Sequence, residues 1–100
     1  MPYKNPKCGI YIITTPNGSA YIGSSYKIEN RWSEHKMNLR NGNHHSHRLQ
    51  MAWNKHKENL IFDIICECER SQLNEMEQRY INLLNPVLNT THYIKGERLK

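Results

Sequence analysis

The stretch CGIYIITTPNGSAYIGSS, residues 8–25, has the clearest structural pattern in this 100-residue chain. Its two arms, residues 8–14 and 19–24, are rich in isoleucine, tyrosine and threonine, which favour the pleated, half-buried surface of a strand. The four residues TPNG between the arms are typical of a tight turn, because proline suits the second turn position and glycine accepts the left-handed conformation. The stretch therefore predicts a β-hairpin whose type I turn is closed by a bulge.

The turn also predicts the register of this hairpin. With that turn, Ile13 pairs with Tyr21, and Tyr11 pairs with Gly23. The four residues then lie on one face of the sheet, and the two tyrosines are diagonal neighbours whose side chains can reach each other. A slip of one residue would place the two phenols on opposite faces, so this prediction depends on the turn.

The rest of the chain predicts three helices and one more strand. Apolar residues at helical spacing and an isoleucine-rich run give their bounds. The helices are expected at residues 28–40, 46–57 and 71–84, and the strand at residues 60–68. Gly42 would end the first helix, Ser71 would cap the last one, and Asn85 before Pro86 would end it. The order β-β-α-α-β-α predicts an α+β fold, in which helices flank a small three-stranded antiparallel sheet.

Composition limits the function classes. The net charge is +5 with a pI near 9.2, and a basic surface of this kind favours polyanions, above all nucleic acid. The chain has neither a signal-peptide pattern nor an apolar run of roughly 18 residues, so we expect a cytoplasmic protein without membrane contact. Its length predicts one domain. We expect this domain at residues 1–89, followed at residues 90–100 by a polar, basic tail or the start of a linker.

Three cysteines, Cys8, Cys66 and Cys68, form an odd set without a CxxC motif, which argues against a disulfide framework. Two interpretations of the cysteines remain. They are buried free thiols, which we favour, or they hold a structural zinc ion together with nearby histidines.

Glu77 is out of place in the apolar stripe of the last predicted helix. That stripe consists of Leu73, Met76, Tyr80, Ile81 and Leu84. An ionised carboxylate there is costly unless it is paired, hydrogen-bonded or bound to a metal. The periodicity alone fits a glutamate bonded to a tyrosine hydroxyl, one that reaches outward to water, or a metal ligand.

Cationic groups form a second set of candidates. Arg31 and His35 are four residues apart and therefore lie on one helix face. They are either a solvated face or a pair that grips a phosphate group. His44, His45 and His47 fit metal ligands, phosphate contacts or ordinary loop polarity.

Two phenols, an arginine, a histidine and a misplaced glutamate suit the hydrolysis of a phosphodiester. That reaction needs an activated water and stabilised charge on the phosphoryl and leaving oxygens. A tyrosine beside a cation can have its pKa lowered and act as a base. A Mg²⁺ ion bound to a carboxylate supplies Lewis acidity.

In these motifs the chain resembles the GIY-YIG nuclease family. The resemblance rests on Gly9-Ile10-Tyr11, on Tyr21-Ile22-Gly23 and on an Arg-x-x-x-His motif that begins at Arg31. It covers residues 8–89. A further histidine at His44, the stretch HRLQMAWNKHK at residues 47–57, and Glu77 in EQRYI resemble the catalytic domains of phage and intron homing endonucleases.

The resemblance implies a metal-dependent DNA endonuclease with a one-metal mechanism. Tyr11 would be the general base, or would position the attacking water, with His35 hydrogen-bonded near it. Tyr21 would hold the water or the scissile phosphate, and Arg31 would neutralise the phosphate charge.

The resemblance also assigns the remaining site residues. Glu77 would bind one Mg²⁺ or Mn²⁺ ion, Asn89 would brace the site, and His44 would have a supporting role. Double-stranded DNA is the expected partner. A separate DNA-recognition domain in a longer protein and dimerisation on DNA are further expectations. The alternatives are a non-catalytic DNA-binding module on the same fold and a zinc-stabilised structural domain.

Overall fold

The computed structural model describes residues 5–89, which form a small antiparallel sheet flanked by helices. The strands are β1 (Gly9–Thr14), β2 (Ala20–Ser25) and β3 (Ile61–Glu67), and the helices are α1 (Ile28–Arg40), α2 (His47–His56) and α3 (Leu73–Leu84). The strands are arranged in the order β2-β1-β3, and both pairs are antiparallel. The predicted α+β fold and its β-β-α-α-β-α order are confirmed.

The predicted tail at residues 90–100 lies outside the described residues, so the domain boundary at residue 89 stays a prediction. Between residues 5 and 89, no helix is long and apolar enough to cross a membrane.

The hairpin has the predicted turn and register. The Thr15 N–H donates to the Ser19 carbonyl at 2.9 Å, and the Gly18 N–H donates to the Thr15 carbonyl at 3.0 Å. Gly18 has a φ of 90°, the left-handed value that the bulge needs. As predicted, Ile13 pairs with Tyr21, and Tyr11 pairs with Gly23.

Each face of the sheet has its own helical cover. We call the face that carries Tyr11, Ile13 and Tyr21 the tyrosine face. It packs with residues of α1, α2 and the segments around them in one apolar core, whose other buried members are Ile28, Leu39, Leu49, Trp53, Leu60 and Leu88. The opposite face carries Ile10 and Ile22, both fully buried, and α3 packs against β1 and β2 there.

A bulge shapes the pairing of β1 with β3. Ile10 pairs with Cys66, whereas the next residue, Tyr11, pairs with Ile64, so one residue of β3 is skipped. At Gly9 an added Cβ would overlap the Cys66 carbonyl and lie 2.8 Å from the Glu67 Cα. A glycine before Ile10 is therefore required by the close approach of β3.

The start of α3 differs from the prediction. Ser71 does not cap this helix, because it lies inside a short 3₁₀ turn at Arg70–Gln72 that precedes it. Glu69 caps that turn instead: its side chain accepts from the Gln72 N–H, and the Gln72 side chain accepts from the Glu69 N–H. This capping box satisfies two backbone donors at once, which a serine inside the turn would not do.

The apolar stripe of α3 is only partly buried, and the predicted full burial of the three cysteines is wrong. No residue of α3 is fully buried, and Leu84 at the end of its apolar stripe is 48% exposed. The stripe therefore covers the edge of the core rather than its centre. Cys8, Cys66 and Cys68 are free thiols, but each is only partly buried rather than fully buried.

Candidate active site

Five predicted site residues converge on the tyrosine face. Tyr11 comes from β1, Tyr21 from β2, Arg31 and His35 from α1, and His44 from the link before α2. The ring centroids of Tyr11 and Tyr21 lie 5.7 and 5.6 Å from that of His35, both in edge-on contact. The hairpin register and the spacing of four residues on α1 thus bring the two phenols to one histidine.

Tyr11 is held from two sides. Its ring passes directly over Gly23 of the neighbouring strand, where any Cβ would overlap it. Its hydroxyl oxygen lies 2.7 Å from Nε2 of His35. Only 1% of Tyr11 is exposed, so its phenol has a fixed position at the inner end of the site.

Burial dominates the protonation of both phenols. Burial raises the pKa of Tyr11 strongly, the neighbouring Tyr21 raises it further, and the Arg31 guanidinium lowers it. The pKa of Tyr21 is also raised by burial, with Arg31 again acting to lower it. Both tyrosines are therefore protonated near neutral pH, and Arg31 is the described group that favours their ionised forms.

The two buried histidines are neutral near pH 7. Burial lowers the pKa of His35 to about 3, and the positive charge of Arg31 and the nearby imidazoles act in the same direction. Burial likewise lowers the pKa of His44 to about 4, supported by His45 and Arg31. Neither histidine can add a second positive charge beside Arg31 at physiological pH.

Arg31 is already paired with a carboxylate. Its guanidinium donates to Oε1 of Glu34 at 2.8 Å, and the two side chains are 33% and 58% exposed. An exposed ion pair of this kind contributes about 0–1 kcal/mol. A phosphate that enters the site can therefore replace Glu34 as the partner of Arg31 at little cost.

Glu77 lies on α3 and bonds to β2 from the face of the sheet opposite the two tyrosines. Its Oε1 accepts a hydrogen bond from the Ser24 hydroxyl at 2.7 Å, and the residue is partly buried. Glu77 is therefore bonded to a hydroxyl, but the hydroxyl belongs to a serine rather than a tyrosine, and the role of Glu77 as a metal ligand stays a prediction. The carboxylate lies close enough to raise the pKa of both Tyr11 and Tyr21.

The surroundings of Glu77 fit a weakly held divalent cation. Within residues 5–89 the second carboxylate oxygen, Oε2, has no hydrogen-bond partner. Mg²⁺ keeps several waters and commonly uses only one or two protein carboxylates together with substrate phosphates. One half-buried carboxylate with a free oxygen, aligned by a serine hydroxyl, matches that donor set.

Asn89 braces β2 and does not reach into the site. Its Oδ1 accepts from the Ile22 N–H at 2.7 Å, and its Nδ2 donates to the Ile22 carbonyl at 2.8 Å. The preceding residue, Leu88, donates its N–H to the Ala20 carbonyl at 2.9 Å. The segment therefore bonds to backbone groups at the outer edge of β2 on both sides of Tyr21 and holds that strand in place.

Three residues near the site have roles that the sequence did not predict. Ser24 aligns Glu77, the Ser46 N–H bonds to His44, and the side chain of Gln50 accepts the His44 N–H at 3.0 Å. Only Ser46 carried a usable signal, as a helix-capping residue type at the start of α2. The other two contacts join residues whose proximity no local pattern encodes.

The other histidines and the cysteines are not part of this cluster. His45 is exposed and stacks on His44 with ring centroids 4.5 Å apart, and His47 is exposed at the start of α2. Across residues 5–89 no group of three or more histidine, cysteine or acidic side chains is arranged to hold a metal ion. This gives no support to a structural zinc site built from Cys66, Cys68 and histidines.

Comparison with known proteins agrees with the geometry. Residues 7–92 match the family described as the GIY-YIG catalytic domain. The catalytic domain of homing endonuclease I-TevI is 35% identical, with a TM-score of 0.74 over 79% of this chain and 89% of that one. A mutant of the catalytic domain of intron endonuclease I-TevI is also 35% identical, with a TM-score of 0.76 over 83% and 89%. None of the curated proteins compared with the chain is significantly similar to it.

Proposed function

Because this chain belongs to the GIY-YIG family and is a nuclease, we propose that it cuts double-stranded DNA by metal-dependent hydrolysis with Tyr11 as the base. The observation that carries this proposal is the placement of the Tyr11 hydroxyl. It lies 2.7 Å from His35 Nε2, and its pKa is raised mainly by burial, lowered by Arg31 and raised slightly further by Glu77. The charges of Arg31, which could bind a phosphate, and of Glu77, which could bind a metal, thus both act on the Tyr11 oxygen.

The chemical step follows from these positions. A water oxygen attacks phosphorus, its proton passes to the ionised Tyr11 oxygen, and the bond from phosphorus to the leaving sugar oxygen breaks, after which that oxygen takes a proton from solvent. Burial keeps Tyr11 protonated in the free protein, so it has to release its own proton to solvent as the site fills. Arg31 supports that ionisation and neutralises the phosphoryl oxygens as their charge increases.

Tyr21 and Glu77 complete the arrangement. The Tyr21 hydroxyl makes no hydrogen bond within residues 5–89 and is not one of the buried unpaired atoms there, so it is accessible and would hold the attacking water or a phosphate oxygen. Glu77 would hold Mg²⁺ or Mn²⁺ through its free oxygen. When bound, the cation supplies Lewis acidity and positive charge for the leaving oxygen.

The substrate assignment to DNA rests on charge and on the likeness to homing endonucleases. A domain with a net charge of +5 gains mostly salt-sensitive contacts to phosphates, so its own sequence preference is expected to be small. One active site cuts one strand. Nicking is therefore the activity of a single copy, and a double-strand break needs dimerisation on DNA or a second encounter. A separate DNA-recognition domain would supply the target choice of a homing-like enzyme.

Relaxation of supercoiled plasmid at low salt with Mg²⁺ tests the proposal. The wild-type protein should nick the plasmid, whereas Glu77→Ala and Tyr11→Phe should not, and a chelator should stop the wild type. Equal cutting by all three proteins would mean a contaminant or a site elsewhere. A gel shift without cutting by any of them would favour the non-catalytic DNA-binding module.

A further inference from the structure

A chain of buried hydrogen bonds runs from the start of α2 to the phenol of Tyr11. The Ser46 backbone N–H lies 3.0 Å from Nδ1 of His44. Nε2 of His44 lies 2.6 Å from Nδ1 of His35, and Nε2 of His35 lies 2.7 Å from the Tyr11 oxygen. All four residues are between 0% and 8% exposed. The chain therefore links three parts of the fold without an intervening water.

The rings of His35 and His44 have the geometry that such bonds require. Their planes differ by only 19°, and their centroids are 4.8 Å apart. With two ring nitrogens at 2.6 Å, this is an in-plane contact between hydrogen-bonding atoms. The link that carries His44 is also held in place, because Gln50 accepts the His44 N–H and donates to the Leu39 carbonyl at 3.0 Å.

The first bond of the chain fixes the direction of all the others. A backbone N–H can only donate, so Nδ1 of His44 must accept from Ser46. A neutral imidazole carries one proton, which in His44 must then be on Nε2. That proton is donated to Nδ1 of His35, so the single proton of His35 must be on Nε2. His35 therefore donates its hydrogen bond to the oxygen of Tyr11.

The surroundings of His35 and His44 keep both imidazoles neutral, as this pattern of donors and acceptors needs. No described carboxylate bonds to either ring, whereas Arg31 faces both from α1 and His45 lies against His44. The remaining neighbours are the rings of Tyr11 and Tyr21. A buried imidazole that faces a guanidinium and two phenols has no partner to stabilise a positive charge.

We propose that Ser46 and His44 are positioning residues that lock His35 in its Nε2–H form, so that His35 is a hydrogen-bond donor to Tyr11. His35 then cannot accept the proton of Tyr11. The phenolic proton instead points away from His35, and the ionised phenol keeps a donor aimed at its oxygen. A hydrogen bond donated to an ionised oxygen favours that form.

The protonation pattern rests on the hydrogen-bond geometry and on two neutral histidines, whereas its consequence for cutting rests on the proposed function. If His35 were the acceptor, it would take the Tyr11 proton and act as the base itself. With His35 as donor, Tyr11 is left as the group that takes the proton of the attacking water. The peptide N–H of Ser46 thus sets the role of a phenol that lies two hydrogen-bonded rings away.

Nitrogen-15 NMR of the imidazole rings in the wild-type protein at pH 7 tests this directly. The measurement needs neither DNA nor metal. Long-range couplings from the ring carbon-bound protons should show Nε2 protonated and Nδ1 unprotonated in both His35 and His44. A His35 ring protonated on Nδ1, or rapid averaging between its two neutral forms, would overturn the proposal. If the pattern is present but the wild type does not nick DNA, the proposed function fails and the inference stands.

Two pairs of variants separate positioning from folding. His44→Gln keeps an N–H donor for His35, whereas His44→Phe removes it. Ser46→Ala and Ser46→Pro both lose the serine hydroxyl, but only the proline loses the backbone N–H. His35 should stay protonated on Nε2 in His44→Gln and Ser46→Ala, and it should gain the Nδ1–H form in the other two.

Nicking provides the second readout for the same variants. It should fall by about 10- to 100-fold in His44→Phe relative to His44→Gln, a loss of the size seen when the group that orients a metal-ligating histidine is removed. Far-ultraviolet circular dichroism would confirm that both proteins are folded. If folded His44→Phe keeps the Nε2–H form of His35, His44 is not a positioning residue.

Discussion

The ring of Tyr11 lies directly over Gly23, its cross-strand partner, so closely that a Cβ at residue 23 would overlap the ring. This contact explains why a glycine follows the second tyrosine of the hairpin by two residues. The glycine leaves room for the phenol to lie flat across β2 and reach His35. A substitution at residue 23 therefore acts on the active site through Tyr11.

Gly23→Ala should lower the free energy of unfolding by about 1–3 kcal/mol, because an added methyl group in a packed site forces its neighbours to move. The variant should also lose nicking activity, since the displaced ring loses its contact with His35. Denaturant unfolding measures the first effect. In a Tyr11→Ala background the same substitution should cost much less. Equal costs in both backgrounds would show that the ring is not the obstacle.

Acid should destabilise the protein through its neutral histidines. Burial lowers the pKa of His35 to about 3 and of His44 to about 4, whereas both titrate near 6.5 when unfolded. The stability they contribute is fully present above pH 6.5. It is lost as pH falls towards 4 and 3, because the unfolded chain binds protons that the folded chain cannot.

The slope of stability against pH gives a quantitative check. Each proton taken up on unfolding changes the free energy of unfolding by about 1.4 kcal/mol per pH unit. Replacing His44 by glutamine should reduce the slope of the free energy of unfolding against pH between pH 4 and 6.5. The reduction should be at most the slope that one proton contributes. A slope identical in the wild type and in His44→Gln would contradict the prediction.

Asn89 should affect activity through β2 rather than by contact with substrate. Asn89→Asp keeps an acceptor for the Ile22 N–H but replaces the donor to the Ile22 carbonyl by a second oxygen. We expect a loss of about 1–2 kcal/mol, since one hydrogen bond is lost and two oxygens face each other. Faster hydrogen exchange at the amides of β2, together with slower nicking, would support this role. Unchanged exchange with lost nicking would instead indicate direct contact with the substrate.

Glu34 should weaken the binding of DNA because its carboxylate forms an ion pair with Arg31 and competes with a DNA phosphate for that side chain. Glu34→Gln should tighten binding at low salt by up to about fivefold, equivalent to about 1 kcal/mol, and should barely change stability. Glu75→Gln is the matched control, because Glu75 forms a similar exposed pair with Arg79 on α3. If both variants tighten binding equally, the effect is one of net charge and not of Arg31.

The parts of this fold that local chemistry encodes could be predicted from the sequence. The TPNG turn set the hairpin register, and the register brought Tyr11 and Tyr21 to one face. The spacing of Arg31 and His35 placed both toward the same site. These predictions depend on residues at most ten positions apart.

The contacts that complete the site could not be predicted in the same way. Glu77 and Ser24 are 53 residues apart, and Asn89 and Ile22 are 67 residues apart, so their pairing depends on how α3 and the following segment pack on the sheet. The wrong cap at Ser71 has a local cause. A serine at a helix start resembles an N-cap, but the capping box that begins at Glu69 satisfies two donors instead of one.

Single-turnover nicking by Tyr11→Phe tests whether the Tyr11 oxygen takes part in cutting DNA. The control is Tyr26→Phe, which removes the hydroxyl of a tyrosine that is 46% exposed and packs against Arg70. With Mg²⁺ and saturating plasmid, Tyr11→Phe should cut at least about 100-fold more slowly than the wild type, while Tyr26→Phe should be close to it. If Tyr11→Phe is folded and nicks within a few-fold of Tyr26→Phe, the Tyr11 oxygen is not needed for cutting.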